Sequence, residues 1–189
     1  MTLVKNRYLT GVVMAFILAA TVVQLRNQGR VWACVCGRWT PWMGDIWSAH
    51  NSQHVFDPYS FTHILHGVLL FWVISWRLKK WPFAWQLTLA VLLESLWEVV
   101  ENSPFIIQRY REATIGLGYE GDSIINSLAD VLCCSGGFVL ARIIGFRFAL
   151  AIFVAVEVLL AVLVRDNLTL NVLMLLCPIE AVKQWQMVH

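Results

Sequence analysis

Long apolar runs decide what this chain can fold into. Five stretches, 9–25, 59–78, 83–101, 122–144 and 146–164, are mostly apolar. Each has close to the roughly 17–25 residues needed to cross the hydrocarbon of a bilayer. A backbone in lipid must satisfy its own N–H and C=O groups, so such runs become helices or strands of a closed barrel. These runs lack the alternation of barrel strands. The chain is therefore read as all-α, a polytopic transmembrane helical bundle that forms a single membrane domain over 1–189. A sixth run, 168–182, is short and carries Pro178 and Glu180, which fits a tilted, re-entrant or interfacial helix. Composition agrees with this reading. Of the 189 residues, 59% are hydrophobic and 14% charged, against about 45–50% and about 25% in soluble domains. A net charge of +2, with no basic cluster interleaved with aromatics, argues against a nucleic-acid partner. The absence of an internal repeat gives an inverted-repeat transporter no support.

Orientation follows from Lys and Arg in short flanking segments. With the N-terminus inside, Lys5, Arg7, Arg77, Lys79, Lys80, Arg142 and Arg147 lie on the cytoplasmic side. Arg26, Arg30, Arg38, Arg109, Arg111 and Arg165 lie on the other. The majority is thin, but Arg77 to Lys80 is a dense block in a very short loop, which favours this orientation. The first run lacks a small-residue cleavage pattern and reads as a retained anchor. Residues 26–58 then form a Trp-rich outer loop, with Trp32, Trp39, Trp42 and Trp47 as an interfacial layer. Trp76, Trp81 and Trp85 form the inner aromatic belt. Cys34 and Cys36 in the outer loop are one residue apart, too close for an unstrained disulfide, and are expected to be two unconnected thiols.

The ionisable residues are not scattered. His63 and His66 are three apart near the outer end of the second run, so they share a helix face. His50 and His54 precede them, and Asp57-Pro58 reads as the turn that starts the helix. At 100° per residue, Glu94, Glu98 and Glu101 make one acidic stripe along the third run. Glu94 lies roughly 10 Å deeper than Glu101. Asp122, Asn126 and Asp130 make a second stripe at the start of the fourth run, and Glu157 on the fifth sits at a depth like that of Glu94. Alternating helix directions bring the histidines, glutamates and aspartates into the same half of the membrane, whichever way the chain is inserted. Scattered helix–helix hydrogen bonds would not choose one leaflet in three spans. A buried carboxylate is costly and normally faces a partner, so a shared polar site is expected.

These same segments carry a resemblance. The window His50–Gly67, the run from Glu94 through Trp97 and Glu98 to Glu101, and the run from Gly121 to Asp130 closely resemble a bacterial inner-membrane family. That family is mainly alphaproteobacterial and is known only as a domain of unknown function. More distantly, the order of a His, then Glu, then Asp with Asn resembles VanZ-like membrane proteins, which are associated with glycopeptide resistance. The resemblance implies a multi-pass protein of the bacterial inner membrane; the cytoplasmic N-terminus rests on the Lys and Arg distribution above. The resemblance supports a site at His63 or His66, Glu94 or Glu98, and Asp122 with Asn126. It does not carry an activity.

Two functions from different classes fit the residues. In the first, the chain is a metal-dependent hydrolase or transferase acting on a lipid or lipid-linked envelope substrate. Imidazoles and carboxylates at helical spacing can hold a divalent metal, zinc or similar. The expected ligands are His63, His66, Glu94, Glu98 and His54. Asp122, Asp130 and Glu101 are the candidate acid–base groups, or the two aspartates alone in a metal-free variant. Arg109 and Arg111 are placed to hold an anionic head group, with Asn126 beside the substrate. In the second, the polar cluster is a structural network in a small-molecule-binding or accessory subunit. The expected partners are membrane lipid and, in a homo-oligomer, a second copy of the chain.

Overall fold

The computed structural model describes residues 2–38, 40–114, 116 and 118–187, with the side chains of residues 2–7 left aside. Trp39 and the side chains of Lys5 and Arg7, used above for the aromatic layer and the orientation, lie outside the described residues. The described residues form seven helices and no strand: α1 Thr2–Asn27, α2 Ser60–Arg77, α3 Phe83–Glu101, α4 Pro104–Ala113, α5 Ile124–Leu163, α6 Leu168–Leu176 and α7 Glu180–Met187. The all-helical expectation holds, and α3 occupies the span expected for it.

The expected count of five spans is not reproduced helix for helix. Three helices are long and apolar enough to cross a membrane: Tyr8–Asn27 within α1, Phe83–Glu101, and Ile124–Leu163. Two physical reasons account for the difference. The 18-residue α2 carries Ser60, Thr62, His63 and His66 in its first two turns, which dilute its apolar character. The 40-residue α5 contains two of the expected runs. At 1.5 Å per residue a straight helix of that length would reach about 60 Å, twice the hydrocarbon thickness. It is instead broken at Gly145, whose φ of 76° and ψ of 169° are non-helical. A residue without Cβ takes that conformation without penalty. Beyond the break the chain turns back. Ala141 before it and Ala149 after it are both fully buried in one cluster with Val68 of α2. Asp166, just past the end of α5, reaches the hydroxyl of Tyr59 at the start of α2 (3.2 Å). The short sixth run is divided at Cys177–Ile179 into α6 and α7, of nine and eight residues.

The bundle is built around a close contact of α2 with the first half of α5. A Cβ at Gly67 would run into the carbonyl of Cys134, and one at Gly137 into the carbonyl of Ile64. Two glycines facing opposite backbones at one level let the helices approach as small-residue pairs do in membranes. α3 packs beside this pair, with Ala90 in a buried cluster with Ile74 and Phe138. α1 runs along α3, and Gln28 at its end donates to the carbonyl of Val99 (2.9 Å).

The segment between α1 and α2 has little regular structure but is well tied. Met43 N–H donates to Phe56 and Phe56 N–H to Pro41, both at 2.9 Å. The segment also caps α5. The N–H groups of Ser123, Ile124 and Ile125 donate to the carbonyls of Ser52, Val31 and Trp32 at 2.9, 2.9 and 3.1 Å. The first turn of a helix has no intrahelical acceptors for such groups. The loop thereby becomes a roof over the end of the bundle where the ionisable residues gather.

Candidate functional site

Helical spacing brings His63, His66, Glu94, Glu98, Glu101 and Asp130 to one place, as the stripes predict. His63 Nδ1 lies 2.6 Å from Glu94 Oε1, and His66 Nδ1 lies 2.9 Å from the same oxygen. Glu94 thus bridges the two imidazoles, whose rings meet edge to face with centroids 5.0 Å apart. Glu98 Oε1 is 3.5 Å from His63 Nδ1, and Asp130 Oδ2 is 3.8 Å from His63 Nε2. His63 therefore stands between α3 and α5 with a carboxylate at each ring nitrogen. Glu98 is fully buried, and Glu94 and Asp130 are each 2% exposed. His66 is the more open imidazole, at 20% side-chain exposure.

Hydrogen-bond accounting divides the carboxylates into two kinds. Glu94 is engaged by both histidines. Asp122 accepts from the amide of Asn102 (2.9 Å) and the hydroxyl of Tyr119 (2.9 Å), while its own N–H donates to Asn102 Oδ1 (2.7 Å). It ties the end of α3 to the start of α5. By contrast, among the described residues neither oxygen of Glu98 has a hydrogen-bond partner, and Glu101 Oε2 and Asp130 Oδ1 have none either. Buried polar atoms are nearly always paired, and an unpaired charged one is costly. The other Glu101 oxygen accepts from the Tyr110 hydroxyl (2.8 Å). Burial beside Glu101 holds that hydroxyl well above its ordinary value.

Two sets of donor atoms here are compact enough for one ion, each with its atoms within 4.8 Å of one another: His63–His66–Glu94 and His63–Glu98–Glu101. In the first, hydrogen bonds already occupy the bridging oxygen and both Nδ1 atoms. The second retains free acceptor capacity.

Above the cluster lies a cavity of about 580 Å³. His63, His66, Glu101, Asp122, Asn126 and Asp130 line its floor and sides, and the roof contributes Cys34, Ser48 and Asn51. Trp97, edge-on to His66 at 6.2 Å, also faces it. The volume is that of a small-molecule site.

Other expected residues go elsewhere. Arg109 Nε donates to the carbonyl of Leu175 (2.9 Å) and Arg111 Nε to that of Tyr119 (2.5 Å). Neither lines the cavity; Arg30 does, held by the carbonyl of Glu120. His54 does not join the deep cluster. It lies in the roof, where its Nε2 is 3.8 Å from Cys36 Sγ. Glu157 caps α6, accepting from the N–H groups of Leu168 (2.9 Å) and Thr169 (3.1 Å). Sequence reasoning missed Tyr110 and Arg30. The Ser103-Pro104 pair, an N-cap with proline in the first turn, was a signal for the helix that carries Tyr110.

Fold and site together define a class: an all-helical protein with membrane-length apolar helices and a buried histidine–carboxylate cluster under a roofed cavity. Residues 25–188 match the model of DUF2585, a protein family of unknown function, and the chain belongs to that family. It is 44% identical over 172 residues to a UPF0314 protein of Sinorhizobium fredii, covering 89% of this chain and 87% of the relative. It is 41% identical over 182 residues to a UPF0314 protein of Sphingopyxis alaskensis, covering 96% and 95%. A UPF0314 protein of Paracoccus denitrificans is 46% identical over 161 residues, covering 84% and 82%. The family resemblance read from the sequence is thus shown. The VanZ-like likeness is not, and rests on residue order alone. No solved structure matches.

Proposed function

We propose that this chain is a multi-pass protein of the bacterial inner membrane whose deep cluster holds a divalent cation and acts on a lipid or lipid-linked envelope substrate by hydrolysis or group transfer. One observation carries the reading. Glu98 is fully buried, both its carboxylate oxygens lack partners, and His63 stands 3.5 Å away. A bound cation would give those two oxygens a partner. His63, Glu98 and Glu101 are the compact donor set, the two glutamates with unpaired oxygens, and such a mixed imidazole–carboxylate set suits zinc and similar ions. Such an ion supplies Lewis acidity and an acidified water.

The chain's own groups take the remaining roles. Glu94 fixes the orientation of His63 and His66, as outer carboxylates do for ligating imidazoles. Tyr110 fixes Glu101. Asp130, at the cavity wall with an unpaired oxygen, is the proton acceptor. Asn126 and Arg30 face the substrate space, and Arg30 suits an anionic head group. In this reading α2 and both halves of α5 cross the bilayer with α1 and α3, giving five spans. The N-terminus is cytoplasmic and the roof periplasmic.

The test is element analysis of purified full-length protein in lipid nanodiscs. The deep cluster is expected to account for one equivalent of divalent metal, read as the difference between wild type and Glu98→Gln, and to hold it at reduced affinity in Glu94→Gln. Metal-free wild-type protein with an unchanged melting curve overturns the metal assignment. A deletion strain whose envelope lipids are unaltered overturns the enzymatic one. The fully satisfied Asp122–Asn102–Tyr119 arrangement favours a second reading for that part of the site, a structural network in a binding or accessory subunit.

A further inference from the structure

The roof over the cavity contains a second donor set, of different chemistry. Cys34, Cys36, His50 and His54 each present one ligand atom, and the four atoms lie within 4.8 Å of one another. Cys34 Sγ is 3.1 Å from His50 Nδ1, and Cys36 Sγ is 3.8 Å from His54 Nε2. In a tetrahedral zinc site, bond lengths of about 2.3 Å to sulfur and about 2.0 Å to nitrogen put each sulfur about 3.5 Å from each nitrogen. The two measured separations bracket that edge. All five cysteines are free, so both thiols are available. The second nitrogen of His54 lies 3.1 Å from Thr40 Oγ1. A hydroxyl there can accept from Nδ1–H in the tautomer that leaves Nε2 free as a ligand, the arrangement usual behind metal-bound histidines.

We propose that Cys34, Cys36, His50 and His54 form a structural zinc-type site that staples the roof of the cavity. Two thiolates and two imidazoles leave no open position, the mark of a structural rather than a catalytic zinc. The fold gives the site a purpose. The roof runs some thirty residues between α1 and α2, with no helix among its described residues, a length that needs tying down. The metal would join its first part, at Cys34 and Cys36, to its second, at His50 and His54. Of the carbonyls that cap α5, that of Trp32 lies two residues before Cys34 and that of Ser52 lies midway between His50 and His54. The staple therefore also fixes where α5 begins. Cys34 lines the cavity itself, so this site borders the deep one without sharing a ligand with it.

The test uses full-length protein in nanodiscs, purified under reducing conditions without a histidine tag and then loaded with cobalt(II). The expected result is a thiolate-to-cobalt charge-transfer band in the near ultraviolet, with intense visible bands of tetrahedral cobalt. The band is expected to persist in Glu98→Gln, which removes the deep site, and to vanish in Cys36→Ser. A missing band in Glu98→Gln assigns the signal to the deep cluster and overturns the proposal. Since Cys36→Ser threatens the fold, a second measurement needs no variant. Alkylation of Cys34 and Cys36 in wild-type protein, mapped by mass spectrometry, should slow by roughly tenfold or more with zinc and recover with a chelator, because bound thiolate is not free to react. Unprotected thiols in folded, zinc-treated protein overturn it, as does a Cys34–Cys36 disulfide that takes up no cobalt after reduction.

Discussion

His63 Nδ1 and Glu94 Oε1 are 2.6 Å apart, the closest tie between α2 and α3, and His66 leans on the same oxygen at 2.9 Å. Removing one partner of a buried, charge-assisted pair strands the other. Glu94→Ala is expected to cost about 3–5 kcal/mol, and Glu94→Gln, which keeps a hydrogen-bonding shape, about 1–3 kcal/mol. His66→Ala should cost less than either, since that ring is partly open to the cavity. Equilibrium unfolding in mixed detergent micelles ranks the three.

Two neighbouring glycines make a sharper comparison. A Cβ at Gly137 strikes the carbonyl of Ile64, whereas one at Gly136 meets nothing within 4 Å. Gly137→Ala should therefore push α5 off α2 and cost roughly 1–3 kcal/mol. Gly136→Ala should be neutral or stabilising by up to about 1 kcal/mol, the helix-propensity gain. Melting temperatures of the two variants settle the point, and equal effects would refute the close contact.

Asp166 supplies a pH dependence. Burial pushes its carboxyl from 3.8 up to about 6, against hydrogen bonds from the Asn167 N–H and the side chains of Asn171, Tyr59 and Gln186. The folded state then holds the proton more tightly than the unfolded one. Stability from this group is fully present below pH 3.8, falls as pH rises through about 6, and is level above. The loss is on the order of 3 kcal/mol at most. Asp166→Asn should flatten that part of a stability–pH curve.

Glu157 holds the first turn of α6 through the N–H groups of Leu168 and Thr169. Replacing it with Ala should cost about 1 kcal/mol, the usual value of an N-terminal cap. Faster proteolysis or amide exchange confined to residues 168–176 would report it. An effect spread to the deep cluster would give Glu157 a different role.

The sequence carried the parts governed by helical periodicity. Phe83–Glu101 matches the expected span, and α2 begins one residue from its expected start, behind the Asp57 turn, whose side chain accepts from the Tyr59 N–H. Depth along each span is a one-dimensional quantity, so the meeting of His63, Glu94, Glu98 and Asp130 was readable from spacing alone. The roof had no such rule. Cys34 and Cys36 looked unconnected because their partners lie 16 and 18 residues away in a segment without periodicity. Arg109 and Arg111 misled for a related reason. Charge alone does not reveal that the side chains of a short helix fold back onto carbonyls at Leu175 and Tyr119. Gly145 was legible as the tight connection between two runs, and its non-helical backbone does separate the two halves of α5.

The capping of α5 by Val31, Trp32 and Ser52 sets an order of events during synthesis. Those carbonyls leave the ribosome long before the N–H groups they will accept. Until α5 has formed, those three carbonyls lack these partners. Asn126 and Asp130 of the same helix also line the cavity. Roof and chamber are therefore completed by one late event, the arrival of α5.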